Sequence, residues 1–267
     1  MQYGGSSDAA VSGGMSLTTI STRLAAGARR WVGPVLDLLY PRNCQFCTRP
    51  LAETERGVVC TDCLARVKCI EPPFCQRCAL PFAGTVTSEF ECGYCRDLPF
   101  HFSRAVAGCR AEGIVRDCIH RFKYNQQMYF GPHLADWLVR AGQRWMQWEA
   151  VDAIVPVPLH PRKQRERQFN QAAVLAEAAG RALGKPMLGR SLRRVRDTRT
   201  QTLLDAKARR ANLRDAFVVR QPEAVRGRRL VLVDDVFTTG ATLDACAKVL
   251  CRAGARDVIV LTVARGV

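Results

Sequence analysis

The sequence lacks several features that would assign it to a familiar class of protein. No run of about 18 apolar residues occurs, so no transmembrane helix is expected. No secretory signal is recognisable, which favours a reducing, cytoplasmic location. Acidic residues are scarce: 24 of them face 40 basic residues, for a net charge of +16. That balance favours polyanionic partners or phosphate-rich substrates, although a solvated arginine-rich surface would give the same charge.

Two common phosphate-binding signatures are also missing. The turn Thr238–Thr242 is not followed by Gly-Lys-Ser/Thr, so it is not a Walker A loop. The acidic pair Asp234-Asp235 precedes this turn, whereas a dinucleotide-binding fingerprint places its acidic residue after the glycines. The turn therefore needs another explanation.

The segment Leu230–Leu243, which reads LVLVDDVFTTGATL, supplies that explanation. Its first four residues form an unbroken apolar run, typical of a strand buried on both faces of a parallel sheet. Asp234 and Asp235 follow at the carboxyl end of this strand, and the hydroxyl-rich turn then opens a predicted helix over 241–251. The alternative interpretation is an ordinary strand, turn and helix with a capping threonine.

The residue types in this segment suit a ribose 5-phosphate. Free N–H groups and the positive end of the helix dipole attract an anion at a helix start. Gly240 lets the backbone approach the ligand, and hydroxyls can donate further hydrogen bonds to the phosphate. The predicted phosphate contacts are Thr238, Thr239, Gly240, Ala241 and Thr242. Asp234 and Asp235 can accept hydrogen bonds from ribose hydroxyls or help to hold a hydrated Mg²⁺.

Cysteine is abundant, and its spacing predicts metal sites. Eight of the thirteen cysteines form four Cys-x-x-Cys pairs: Cys44/Cys47, Cys60/Cys63, Cys75/Cys78 and Cys92/Cys95. The third and fourth pairs repeat the first and second with an offset of 31 or 32 residues. This pattern predicts two structural Zn²⁺ sites in tandem zinc ribbons. We expect the first four cysteines to share one zinc and the last four the other; interleaved ligation is the alternative.

Beyond the cysteines, strand and helix signals alternate, which predicts an α/β domain. The expected organisation is a tail over 1–35, a double zinc ribbon over 36–100 and the α/β domain over 101–267. A strand over 151–157 runs into a proline-rich turn whose backbone N–H groups could bind pyrophosphate, formed by Val157, Pro158, Leu159 and His160. The basic run that follows leads into a predicted long, alanine-rich helix ending near Leu183, so its cations lie near a helix start. Because cations are unfavourable at a helix start, this placement favours an anionic partner.

These motifs together resemble a known family. Val231–Leu243 resembles the phosphoribosyl pyrophosphate (PRPP) motif of type I phosphoribosyltransferases. With the cysteine pairs, Lys123-Tyr124, the proline-rich turn and Arg167–Gln171, the chain resembles the ComF family over about 36–265. Further marks are Gln201, Leu204, Arg209, Asn212 and Phe217. The family usually has glycine where this chain has Gln168.

The resemblance implies a fold and a set of roles. The fold would be a type I phosphoribosyltransferase-like parallel sheet flanked by helices and preceded by the double zinc ribbon. Asp234 and Asp235 would hold the ribose, Arg162 and Lys163 would assist at the pyrophosphate, and Mg²⁺ would accompany PRPP. A loop over 198–204 would close over the site. The family is associated with natural competence, DNA uptake and the handling of single-stranded DNA.

Two functions are compatible with these residues. The first is a phosphoribosyltransferase that transfers the pentosyl group from PRPP to an acceptor. No acceptor-recognition segment is evident, so whether the chain is an enzyme stays open. The second is a binding protein for PRPP or a nucleotide, whose ribbons and basic surface hold single-stranded DNA or a protein such as a competence helicase.

Overall fold

The computed structural model describes residues 42–86, 90–197, 213 and 215–266. The predicted tail, the start of the zinc ribbon segment and the predicted closing loop over 198–204 lie outside these ranges. None of the helices within them has the length and apolar character that a bilayer span requires.

The centre of the α/β domain is a four-stranded parallel sheet. Its strands are β1 (Arg104–Arg110), β2 (Ala153–Pro156), β5 (Arg229–Phe237) and β6 (Asp257–Arg265). Their spatial order is β1, β6, β5, β2, and all three pairings are parallel. Two short strands, β3 (Leu192–Arg194) and β4 (Phe217–Val219), pair antiparallel beside it. The predicted parallel α/β architecture is confirmed, with β6 inside the sheet.

Helices cover both faces of the sheet, as parallel strands require. The helices are α1 (Thr61–Ala65), α2 (Gly93–Arg96), α3 (Gly113–Tyr124), α4 (Gly131–Trp145), α5 (Pro161–Arg167), α6 (Gln171–Leu183), α7 (Pro222–Val225) and α8 (Ala241–Arg252). Short 3₁₀ helices occupy Met128–Phe130 and Trp148–Ala150. Alternate residues of β5 enter separate cores. Val231 and Val233 pack with α4 and α6, and Leu230 and Leu232 pack with α8.

The predicted long helix is present as α6 and ends at Leu183 as expected, but the basic run before it forms a separate short helix, α5. Gln168 ends α5 in the left-handed conformation, with φ +66°, and Asn170 caps α6 by accepting a hydrogen bond from Ala172 N at 3.0 Å. Arg165 and Arg167 consequently lie in the last turn of α5, where the helix dipole favours cations. The electrostatic argument for an anionic partner therefore does not apply to these two arginines, whereas Arg162 and Lys163 lie in the first turn of α5 and remain cations at a helix start. The left-handed conformation also explains why glycine suits position 168.

The two ribbons repeat one backbone arrangement. In the first, Cys44 N donates to Arg49 O at 2.8 Å, and in the second Cys75 N donates to Leu80 O at 2.9 Å. The helices α1 and α2 each begin directly after the third cysteine of their ribbon. The sequence repeat is thus a structural repeat.

Candidate functional site

The two aspartates lie where β5 leaves the core of the sheet. Asp235 is buried, Asp234 is half-buried, and Asp235 N donates to Asp234 Oδ1 at 2.9 Å. Lys123, in the last turn of α3, forms an ion pair with Asp235 Oδ2. The Lys123 side chain is itself only 19% exposed. A buried cation therefore offsets part of the acidic charge at this end of the sheet.

The surroundings drive the two carboxyl pKa values apart. Burial and the neighbouring Asp235 raise the pKa of Asp234 well above its usual range. Burial also acts to raise the pKa of Asp235, but the Lys123 ammonium outweighs it and the net pKa lies below the usual value. Burial acts to lower the pKa of Lys123, but the two carboxylates outweigh it and raise the pKa above its usual value. At neutral pH, Lys123 and Asp235 form the charged pair.

The hydroxyl-rich turn wraps around the start of α8. Gly240 has φ +75°, and a Cβ atom there would lie 2.7 Å from the Phe237 ring and 3.0 Å from the Phe100 ring. Glycine is therefore required at this position for backbone conformation and for space. No described residue accepts a hydrogen bond from the N–H groups of Thr238, Thr239 or Gly240. Ala241 N donates to Thr239 Oγ1, and Thr242 is half-buried in the first helical turn. Residues 238–242, called the phosphate loop here after their predicted ligand, therefore present N–H groups of the kind that an anion site uses.

The proline-rich turn lies beside the aspartates. Val157 N donates to Val233 O at 2.9 Å, so the turn starts alongside the residue that precedes Asp234. Asn170 Nδ2 donates to Val157 O at 3.1 Å and fixes the turn from the other side. Pro158 and Leu159 are half-buried, and His160 caps α5. The structure thus brings both predicted turns to the same edge of the sheet.

The two predicted cationic residues of α5 have different surroundings. Arg162 is exposed and pairs with Glu166 at 3.2 Å and with Asp197 at 3.5 Å. Lys163 is half-buried and lines a cleft of about 290 Å³ together with Lys123. Burial, with Arg194 and Arg167 nearby, lowers the pKa of Lys163. Lys163 is therefore the better placed of the two to meet a ligand near the aspartates.

The cysteines form two separate clusters. In each cluster the four Sγ atoms lie within 4.8 Å of one another: Cys44, Cys47, Cys60 and Cys63 in the first, and Cys75, Cys78, Cys92 and Cys95 in the second. The grouping is sequential, as expected, and not interleaved. Four thiols at this separation fit tetrahedral Zn²⁺, which would stabilise the fold of each ribbon.

The second ribbon contacts the phosphate loop directly. Tyr94 OH donates to Thr239 O at 3.1 Å. Arg265, buried at the end of β6, donates to Cys78 O at 2.8 Å and to Thr238 O at 2.9 Å. Phe100, which follows the last cysteine, packs edge-on against Phe237 below the loop. The loop is therefore held between β5 and the second ribbon.

Sequence reasoning missed three residues of this arrangement. Lys123 is noted only as part of a family mark, and Tyr94 and Arg265 are not noted at all. The available signal for Arg265 is a charge at the end of an apolar strand, which predicts a buried partner. Nothing local in the sequence relates Tyr94 to the phosphate loop.

Comparison with known proteins agrees with this architecture. The family model described as double zinc ribbon domain matches residues 35–98. DNA utilization protein YhgH of Escherichia coli is 33% identical over 231 residues, covering 85% of this chain and 99% of the relative. Competence protein F of Haemophilus influenzae is 34% identical over 233 residues, covering 84% and 96%. Competence protein ComFC of Streptococcus pneumoniae is 23% identical over 220 residues, covering 82% and 93%.

One of the solved structures that match this chain covers about half of it. It is the glutamine PRPP amidotransferase from B. subtilis complexed with ADP and GMP, with 21% identity and a TM-score of 0.33. The match covers 49% of this chain and about a quarter (25%) of the amidotransferase. The identification rests instead on the curated relatives, which are aligned over nearly their whole length. The chain belongs to the ComF family of competence and DNA utilization proteins.

Proposed function

We propose that this protein binds PRPP, or a related ribose 5-phosphate, in the cytoplasm and acts in the handling of single-stranded DNA during natural competence. One observation carries the first part: Asp234 and the Lys123-paired Asp235 lie at the same end of the sheet as a loop in which the N–H groups of Thr238, Thr239 and Gly240 have no described acceptor. The names of the relatives, which refer to competence and DNA utilization, support the second part.

In this proposal, each part of the ligand contacts a different group of residues. The phosphate loop would bind the 5-phosphate through backbone N–H groups and threonine hydroxyls. Asp234 and Asp235 would accept hydrogen bonds from the ribose hydroxyls. The turn Val157–His160 and Lys163 would contact the pyrophosphate. Lys123 keeps Asp235 ionised, and therefore able to accept, inside a largely buried site.

The donor set fits a Mg²⁺ ion that arrives with PRPP. Asp235 is already paired with Lys123, so Asp234, whose Oδ1 accepts the bond from Asp235 N, is the carboxyl that would meet a metal or its water once ionised. Mg²⁺ commonly uses one or two carboxylates together with substrate phosphates. Bound there, the ion would offset the charge of the pyrophosphate.

Calorimetry with PRPP and Mg²⁺ tests the proposal, with Asp234→Asn as the informative variant. Asparagine keeps an oxygen for the bond from Asp235 N but cannot ionise, so it removes the carboxylate that would accept from the ribose and hold Mg²⁺ in the complex. We expect affinity to fall roughly 10- to 100-fold, because a hydrogen bond to a charged group contributes about 1.5–3 kcal/mol. No heat change with the wild-type protein would refute the proposal.

The stability of the same variant separates lost binding from lost folding. The folded-state pKa of Asp234 lies above its unfolded value, so ionising this carboxyl destabilises the wild-type protein. Its stability should therefore fall as the pH rises from about 4 towards that raised pKa. Asp234→Asn removes this effect. We expect it to be at least as stable as wild type in denaturant unfolding at pH 7, although it binds PRPP more weakly.

A catalytic role is the second candidate, and the cleft beside Lys123 and Lys163 favours it because it offers space for an acceptor. A phosphoribosyltransferase would form a new bond at the ribose C1 of PRPP and release pyrophosphate. Pyrophosphate release should then depend on adding an acceptor from a panel of nucleobases. If no nucleobase in the panel causes pyrophosphate release, PRPP binding without catalysis remains the proposed function.

A further inference from the structure

The cleft beside the aspartates contains an exposed aromatic ring. It is lined by the end of α3 and by one face of α5: Lys123, Tyr124, Gln126, Lys163, Glu166 and Arg167. Tyr124 is 60% exposed, the highest value among the exposed large hydrophobic residues of the described chain. Its neighbour Lys123 pairs with Asp235. The ring therefore lies at the mouth of a cleft that adjoins the proposed ribose site.

The charges around Tyr124 favour an anionic ligand. Three of the lining residues are cationic and one, Glu166, is acidic, and Glu166 pairs with Arg162 at 3.2 Å. The Arg167 guanidinium lies 4.9 Å from the Tyr124 ring centroid and donates to Gln171 Oε1 at 3.0 Å. The ring and the cation are thus held together, and the bond to Gln171 fixes the position of the cation.

A single exposed aromatic residue is common on protein surfaces and by itself indicates nothing. Here the ring combines with two further features: cations beside it and a neighbouring sugar-phosphate site. Proteins bind unpaired bases with this combination, in which an aromatic face stacks on the base and basic side chains meet the backbone.

We infer that this cleft is a nucleobase subsite, in which Tyr124 stacks on the base while Lys163 and Arg167 contact its phosphate. The inference rests on the proposed function for the ribose site next to it, and it assigns the recognition surface that the sequence did not reveal. The base could belong to a free nucleotide or to a single strand, because both present the same planar ring and phosphate.

Oligonucleotide binding tests the stacking. Fluorescence anisotropy would compare a labelled 12-nucleotide strand with an abasic strand of equal length, at constant salt. We expect Tyr124→Ala to weaken binding of the normal strand roughly 10-fold and to leave the abasic strand unchanged, because only the base stacks. Tyr124→Trp should bind the normal strand at least as tightly as wild type. Phe82→Ala, which removes a 48% exposed ring from the second ribbon, is the matched control and should change neither.

Two further measurements show whether the base belongs to a free nucleotide or to a strand, and test this inference separately from the proposed function. Calorimetry shows whether Tyr124→Ala also binds adenosine monophosphate more weakly than wild type does. If the variant loses affinity only for the strand, the ligand is single-stranded nucleic acid. Equal loss for the normal and abasic strands, or no loss for either strand or the nucleotide, overturns the inference. PRPP calorimetry on the wild-type protein tests the proposed function independently.

Discussion

In the first zinc ribbon a buried glutamate holds the connector between the cysteine pairs from within, whereas the α/β domain contacts the cysteine turns of the second ribbon. Glu55, buried in the first connector, accepts from Arg49, from Ala52 N and from Thr61 N, each at 2.8 Å. The bond from Arg49, followed by those from the backbone N–H groups, lowers the pKa of Glu55 to about 2. Among the described residues of the second ribbon, no carboxylate accepts a comparable set of hydrogen bonds.

The second ribbon instead receives Arg265, a residue of β6, through the hydrogen bond to Cys78 O. Arg77 donates to Ser103 O of the α/β domain at 3.2 Å, and the Tyr94 hydroxyl donates to Thr239 O of the phosphate loop. The first ribbon packs elsewhere, with Phe46 against Phe130 at 5.9 Å and Arg121 donating to Gln45 O at 3.2 Å. Equal cysteine spacing therefore does not imply equal roles: the second ribbon braces the proposed ligand site, and the first braces α3 and α4.

Removing one thiol from each ribbon gives the largest predicted contrast. Cys47 and Cys78 occupy equivalent repeat positions, so Cys47→Ser and Cys78→Ser remove the same ligand from different sites. We expect zinc content to fall from about two to about one per chain in both variants, because three thiolates hold zinc less well than four. PRPP affinity should fall roughly 10-fold or more in Cys78→Ser only, by analogy with the loss of groups that support a site.

Metal analysis by mass spectrometry, followed by PRPP calorimetry, measures both quantities. Equal losses of PRPP affinity in the two variants would show that zinc acts through overall stability and would remove the distinction between the ribbons.

Arginine replacement tests the same contrast without touching a metal ligand. Arg265→Met leaves the carbonyls of Cys78, Phe237 and Thr238 without this donor. Because an unpaired buried polar group costs about 1–3 kcal/mol, we expect the free energy of unfolding to fall by about 3 kcal/mol, with roughly 10-fold weaker PRPP binding. Arg121→Met removes one bond to the first ribbon and a cation contact with Phe46, for about 1 kcal/mol.

Denaturant unfolding of the zinc-loaded proteins gives the first quantity and calorimetry gives the second. If Arg121→Met weakens PRPP binding as much as Arg265→Met does, the phosphate loop does not depend specifically on the second ribbon.

The features that could be predicted from the sequence are those encoded over short distances. The apolar run before Asp234 and the glycine turn after it predict β5 and α8, and α8 ends one residue from the expected position. Cysteine spacing predicts the two clusters because the connector length limits which thiols can meet. The division between α5 and α6 was missed because Gln168 adopts a left-handed conformation that glycine, and not glutamine, would have signalled.

The contacts that could not be predicted join distant segments. Lys123 meets Asp235 only because α3 packs where β5 ends, and Arg265 meets Cys78 only because β6 lies inside the sheet. No periodicity or spacing in the sequence encodes these pairings. They depend on strand order, which local patterns leave undetermined.

The smallest predicted effect concerns a single hydroxyl. Tyr94→Phe removes the hydrogen bond to Thr239 O and keeps the ring that packs near Phe100, with centroids 6.4 Å apart. Because such a bond contributes about 0.5–1.5 kcal/mol, PRPP affinity should fall about 2- to 10-fold. Tyr129→Phe is the matched control, since its hydroxyl bonds to no described residue and Tyr129 packs on Phe130, which also contacts the first ribbon. If Tyr94→Phe binds PRPP as tightly as wild type while Arg265→Met binds it more weakly, Arg265 alone supports the loop.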